Sequence, residues 1–210
     1  NLFGLVSCLE QFSSENVEQI YFLGDAVGYL PYGLEVIEEL LKRKIPCIKG
    51  NHDAMALGIL PLSEEKQDIY RLKPIPVRLK KEIDGNWPVK RELEVSKRRI
   101  LMVHGRPSNP IEGYLYEDGT FSPEEASNFD VVAIGHTHRP YIRREKNVLW
   151  LNAGSCGLPR DHGNMASCII YDTVLHSAEI LRVAIDVEKL IASFPPGAVH
   201  EEVIECLHRK

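Results

Sequence analysis

Four short apolar runs, each broken off by a glycine-flanked polar cluster, constrain this chain more than anything else in it. Ile20-Tyr21-Phe22-Leu23 runs into Gly24-Asp25, and Pro46-Cys47-Ile48-Lys49 runs into Gly50-Asn51-His52-Asp53. Ile100-Leu101-Met102-Val103 runs into His104-Gly105, and Val131-Val132-Ala133-Ile134 into Gly135-His136-Thr137-His138. Runs of this length, bounded by glycine, read as buried strands. In α/β sheets, ligands bind at the carboxyl ends of the strands. The four clusters are therefore expected to converge on one edge of one sheet.

The intervening segments agree with an α/β fold. Residues 1–12 place Leu2, Leu5, Val6 and Leu9 on one helical face, and residues 33–44 do the same with Leu34, Ile37, Leu40 and Leu41. With strands at 20–23 and 46–48, the first quarter alternates helix and strand, the pattern of parallel pairing. Residues 63–72 read as a further helix. Residues 82–95 contain Asp84-Gly85, a turn dipeptide, and read as a hairpin-like excursion that offers an edge to a second copy. Strands at 141–142, 148–151, 166–171 and 177–185 follow with few helices between them, so the second half reads as antiparallel. Residues 186–192 read as the final helix.

Composition narrows the function. The 210 residues suit one domain with one core. A net charge of -5 argues against bulk nucleic-acid or membrane-surface binding, because such a chain repels phosphate at long range. Phosphate can still be held locally where a metal supplies the charge. The five cysteines are odd in number and form no C-x-x-C, which suits free thiols in a reducing compartment such as the cytoplasm. No stretch approaches the ~20 apolar residues of a membrane span.

The clusters supply a carboxylate, an amide oxygen and three imidazoles. This mixed oxygen and nitrogen set suits manganese, iron or zinc better than calcium. Two such ions about 3.5–4 Å apart can clamp the attacking and leaving oxygens of an in-line phosphoryl displacement, with a bridging hydroxide as nucleophile.

The order of the motifs resembles the calcineurin-like metallophosphoesterases, in particular their compact bacterial and archaeal members. These carry D-x-H, G-D, G-N-H-D or G-N-H-E, H, and G-H-x-H, and the last four match between Gly24 and His138. Asn152-Ala153-Gly154-Ser155 with Pro159-Arg160 is similar to a further segment of those enzymes. The resemblance implies a two-sheet β-sandwich with flanking helices and mixed parallel and antiparallel strands. It implies two divalent ions, manganese first, with iron, zinc, cobalt or nickel as alternatives. Asp25 would bridge them, Asn51, His104 and His136 would complete one ion's shell, and His138 would join the other. His52 would contact the scissile phosphate and protonate the leaving oxygen, with Asp53 orienting its imidazole. The D-x-H motif has no counterpart upstream of Asp25, and the segment carrying it would immediately precede Asn1. The implied activity is hydrolysis of a phosphomonoester or phosphodiester, with a phosphorylated small molecule or nucleotide as substrate. Residues 29–32 and 64–76 are the segments expected to shape its pocket. The competing expectation is a non-catalytic scaffold on the same fold, as in the retromer subunit that resembles these phosphatases.

Overall fold

The computed structural model describes all 210 residues. Helix α1 (Leu2–Ser14) begins where the Asn1 side chain accepts from the Gly4 N–H, and it buries Leu5, Cys8 and Leu9. Helix α2 (Gly33–Lys42) buries Val36, Ile37 and Leu40, and carries Glu35 in its first turn and Lys42 in its last, matching the helix dipole. Short helices α3 (Asn51–Ala56) and α4 (Glu64–Tyr70) follow, the latter capped by Ser63. Helix α5 (Val77–Asn86) turns Leu79 and Ile83 inward. Near the C-terminus lie α6 (Val187–Ala192) and α7 (Glu201–Leu207).

The strands form two sheets. Strands β1 (Lys90–Val95), β2 (Arg98–Val103), β3 (Val131–Ile134), β4 (Tyr141–Glu145) and β5 (Val148–Asn152) make a five-stranded sheet in the order β1-β2-β3-β5-β4. The central β2, β3 and β5 run parallel, and the edge strands β1 and β4 run antiparallel. Strands β6 (Met165–Asp172) and β7 (Ser177–Ala184) form a separate antiparallel pair. The sheets and flanking helices give the mixed α/β architecture that the motif order implied.

Alternation along the strands explains the packing. On β2, Ile100 and Met102 meet Val131, Leu149 and Leu151 on one face, with Ile169 and Tyr171 packed against them. Leu101 and Val103 point the other way, into a cluster with Val132, Ile134, Trp150, Leu115 and Phe121. A third cluster joins Leu5, Leu9, Val36, Ile37, Leu40 and Ile83, and so ties α1, α2 and α5 together.

Four local expectations are corrected. Residues 20–23 and 46–48 are not full strands: a single parallel bridge, Phe22 to Cys47, joins them. Asp84-Gly85 is not a turn, because α5 runs through it. The spacing of Leu79, Ile83 and Trp87, all at most 2% exposed, is helical, and their burial outweighs a local turn preference. The hairpin instead pairs β1 with β2 around Ser96 and Lys97, whose φ values of 50° and 62° are those of a tight hairpin turn. Residues 186–192 are not the last helix either: α7 follows and buries Val203, Cys206 and Leu207.

A cavity of about 660 Å³, mostly apolar in its lining, reaches Asp25, His104, His136 and His138. Residues 19–30 line it on one side and residues 167–172 of β6 on another, with no residue of β7 among them. The edge of β6 not paired with β7 therefore faces this space.

Candidate metal centre

Parallel pairing brings the polar clusters together. Met102 pairs with Ala133, so His104 and Gly135 emerge side by side, and the Gly135 N–H donates to the His104 carbonyl at 2.9 Å. The same holds for the first two runs. The Phe22 N–H donates to Pro46 and the Ile48 N–H donates back to Phe22, each at 3.0 Å, so Asp25 and Asn51 leave at one end.

At that end, ligand atoms of Asp25, His104 and His136 all lie within 4.8 Å of one another. Asp25 Oδ2 is 3.1 Å from His104 Nε2, and Asn51 Oδ1 is 3.2 Å from the same nitrogen. His104 Nδ1 is 2.6 Å from the Leu23 carbonyl and His138 Nδ1 is 2.8 Å from the Leu158 carbonyl. A carbonyl can only accept, so each Nδ1 donates its proton there and leaves Nε2 as the nitrogen for a metal, with the His104 Nε2 donating to Asp25 until an ion takes that proton's place. His138 stands outside the close trio.

Burial sets the protonation states. It pushes His136 down to about 4, helped by His104. It pushes His138 down to about 3, helped by Arg160. Both imidazoles are therefore neutral at neutral pH. His104 goes the other way: burial lowers it, but the Asp25 charge and hydrogen bond raise it further. For Asp25, burial favours the neutral acid, and the surrounding His104 and His52 overcome this to hold the carboxyl below the usual range.

These residues fit a divalent ion. His136 Nε2 is buried with no hydrogen-bond partner, which is costly unless something accepts its lone pair. Asp25, His136 and His138 all have left-handed backbones, with φ of 60°, 62° and 57°. Such strain, roughly 1–2 kcal/mol per residue, gathers at functional sites.

Asp53 does not contact His52 in the way the resemblance implied. Its two oxygens accept N–H bonds from Asp25 at 2.8 Å, Ala26 at 2.9 Å and Gly50 at 2.9 Å. It is a clamp on the Asp25 loop. The Asp25 carboxylate in turn accepts the His52 N–H at 2.9 Å.

His52 is held by aromatic rings instead. Tyr70 lies 4.2 Å from it and Tyr29 lies 4.7 Å away, centroid to centroid. Both tyrosines come from the two segments that the sequence marked as pocket-forming. His52 Nδ1 is buried without a partner, over Gly28. A Cβ at Gly28 would lie 2.3 Å from that nitrogen, and its φ of +106° also favours glycine. Two further residues join the site: Arg160, which the sequence placed in a family-like segment without giving it a role, and Tyr114, which carried no sequence signal. Arg160 donates to the Tyr29 hydroxyl at 2.8 Å and is the cation that depresses His138. Tyr114 stacks on His136 with centroids 3.9 Å apart.

Known proteins resemble this chain in sequence and fold. Residues 1–175 match the family model of the calcineurin-like phosphoesterase superfamily domain. An uncharacterized protein of Methanocaldococcus jannaschii, MJ0912, is 29% identical over 217 residues, covering 90% of this chain and 85% of that protein. A metallophosphoesterase from Sphaerobacter thermophilus superposes with a TM-score of 0.77 at 23% identity, covering 99% of this chain and 93% of the other. The hypothetical protein PH1004 from Pyrococcus horikoshii superposes with a TM-score of 0.74 at 21% identity, over the same shares. With the family match spanning most of its length and motif residues gathered in one cluster, the chain belongs to the calcineurin-like phosphoesterase superfamily.

Proposed function

We propose that the protein is a metal-dependent phosphoesterase acting on a phosphomonoester or phosphodiester. The observation that carries this is the convergence of Asp25, His104 and His136, with an unpartnered, buried His136 nitrogen among them. Asp25, Asn51, His104, His136 and His138 would hold divalent ions, manganese first, which supply positive charge against the phosphate and acidify a water. Asp53 fixes the Asp25 loop, so the Asp25 carboxylate is oriented before any ligand arrives. Arg160 adds a fixed cation beside the cluster. His52, packed between Tyr29 and Tyr70, is the group we assign to the leaving oxygen as proton donor.

The full-length protein, loaded with Mn²⁺, is expected to hydrolyse bis(4-nitrophenyl) phosphate. Asp25→Asn and His104→Ala should abolish turnover, and unchanged turnover in both would remove the site assignment. His52→Ala should cut turnover by about 10²–10⁴-fold, the scale of general acid catalysis, while metal content by elemental analysis stays the same. Loss of metal in that variant would make His52 a ligand. A protein that takes up no metal and turns over no ester would be a scaffold.

A further inference from the structure

The outer side of the site is aromatic. Beyond His136 and Tyr114, the Tyr116 ring continues the stack, 5.8 Å from Tyr114 and only 5° from parallel. Both tyrosines are exposed, 48% and 40%, an unusual state for two large rings beside a buried polar cluster. Leu115 between them is 2% exposed and packs into the Leu101, Val103 and Trp150 cluster. That alternation turns the two flanking rings outward together.

The loop presenting them is pinned. The Tyr141 hydroxyl donates to the Leu115 carbonyl at 2.9 Å. The Arg106 N–H donates to Gly113 at 2.9 Å, and the Arg106 guanidinium pairs with Glu125 at 3.0 Å. Ring positions are therefore set before anything binds, which lowers the ordering cost of a stacked ligand.

The two ends of the site differ in chemistry. At one end stand the ligand cluster and Arg160, which suit an anion. At the other stand two uncharged, parallel rings, which suit a flat, neutral group. Tyr116 is one ring further out than Tyr114, so the flat group must be joined to the phosphate through a spacer. A nucleoside phosphate has this layout, with a ribose between phosphate and base.

We propose that Tyr114 and Tyr116 form the base-stacking platform for a nucleoside phosphate whose phosphate sits at the Asp25, His104 and His136 cluster. The proposal rests on the phosphoester reading above. Its test is equilibrium binding, by calorimetry, of AMP and of ribose 5-phosphate to the Mn²⁺-loaded full-length protein. The two probes differ at the anomeric carbon, which carries adenine in one and a hydroxyl in the other. AMP should bind about tenfold more tightly, the scale of one base–aromatic stack. Tyr116→Ala should bring the ratio close to one, and Tyr116→Phe should keep it. Equal affinities in the unmodified protein, no binding of either probe, or a preference that survives Tyr116→Ala would each overturn the platform. Equal affinities are also the outcome if the rings serve an aromatic peptide side chain. Hydrolysis of methyl 4-nitrophenyl phosphate reads the phosphoester activity separately. A protein that prefers AMP but hydrolyses nothing keeps the platform and loses the enzymatic reading.

Discussion

At the scale of single residues, the site depends on two positions that never touch a ligand ion. Gly50 is one. A Cβ there would fall 2.0 Å from Asp25 Oδ1 and 2.6 Å from the Asp25 nitrogen, so the loop would have to move. Gly50→Ala should therefore lower metal affinity by more than tenfold while costing about 1–3 kcal/mol of stability, as overpacking does. Competition with a chromogenic chelator and urea unfolding would measure the two effects, and unaltered affinity would contradict the geometry. Asp53 is the other. Its carboxylate is fully buried and satisfies three backbone N–H groups. Asp53→Ala leaves those donors unpaired and should cost at least about 3 kcal/mol, with Asp53→Asn costing less because one oxygen remains. Equal stability of both variants and the unmodified protein would remove the clamp. The sequence showed Asp53 as part of a motif but not whom it serves, because its partners are backbone amides, two of them on a loop 28 and 27 residues upstream.

At the scale of elements, α5 shows where local pattern and tertiary burial compete. Asp84-Gly85 carries a strong turn preference, yet Ile83 is completely buried and Gly85 sits in open space within the helix. Ile83→Ala should cost about 2–5 kcal/mol. Gly85→Ala should add roughly 0.5–1 kcal/mol, since its backbone is helical and a methyl meets nothing. Thermal unfolding of the two variants should move in opposite directions, and a destabilising Gly85→Ala would mean that the turn reading was right. Strand ends were legible in the sequence for the opposite reason: each apolar run, its glycine and its polar cluster agree with one another. The Phe22 and Cys47 runs were read as strands of ordinary length, because an apolar run does not reveal how far its pairing extends. Tyr114, Tyr116 and Arg160 lie in loops, where no periodicity marks which side chains face the site.

At the scale of the whole molecule, ion binding should be coupled to stability. Mn²⁺ at 100 times its dissociation constant should stabilise the fold by about 2.7 kcal/mol through mass action. For a chain of this size that corresponds to roughly 5–10 °C in Tm. Scanning calorimetry with Mn²⁺ and then excess chelator would follow it, and His104→Ala should abolish the shift; an equal shift in that variant would place the ion elsewhere. No helix is long and apolar enough to cross a membrane. The contact between His104 and the Leu23 carbonyl joins residues 81 apart, and that between His138 and Leu158 joins residues 20 apart. A chain emerging from the ribosome has made Asp25 and Asn51 long before it makes His136. Contacts of such span form slowly and late. Ion uptake at Asp25, His104 and His136 therefore waits for β3, and a molecule that holds an ion there certifies that β2 and β3 are already paired.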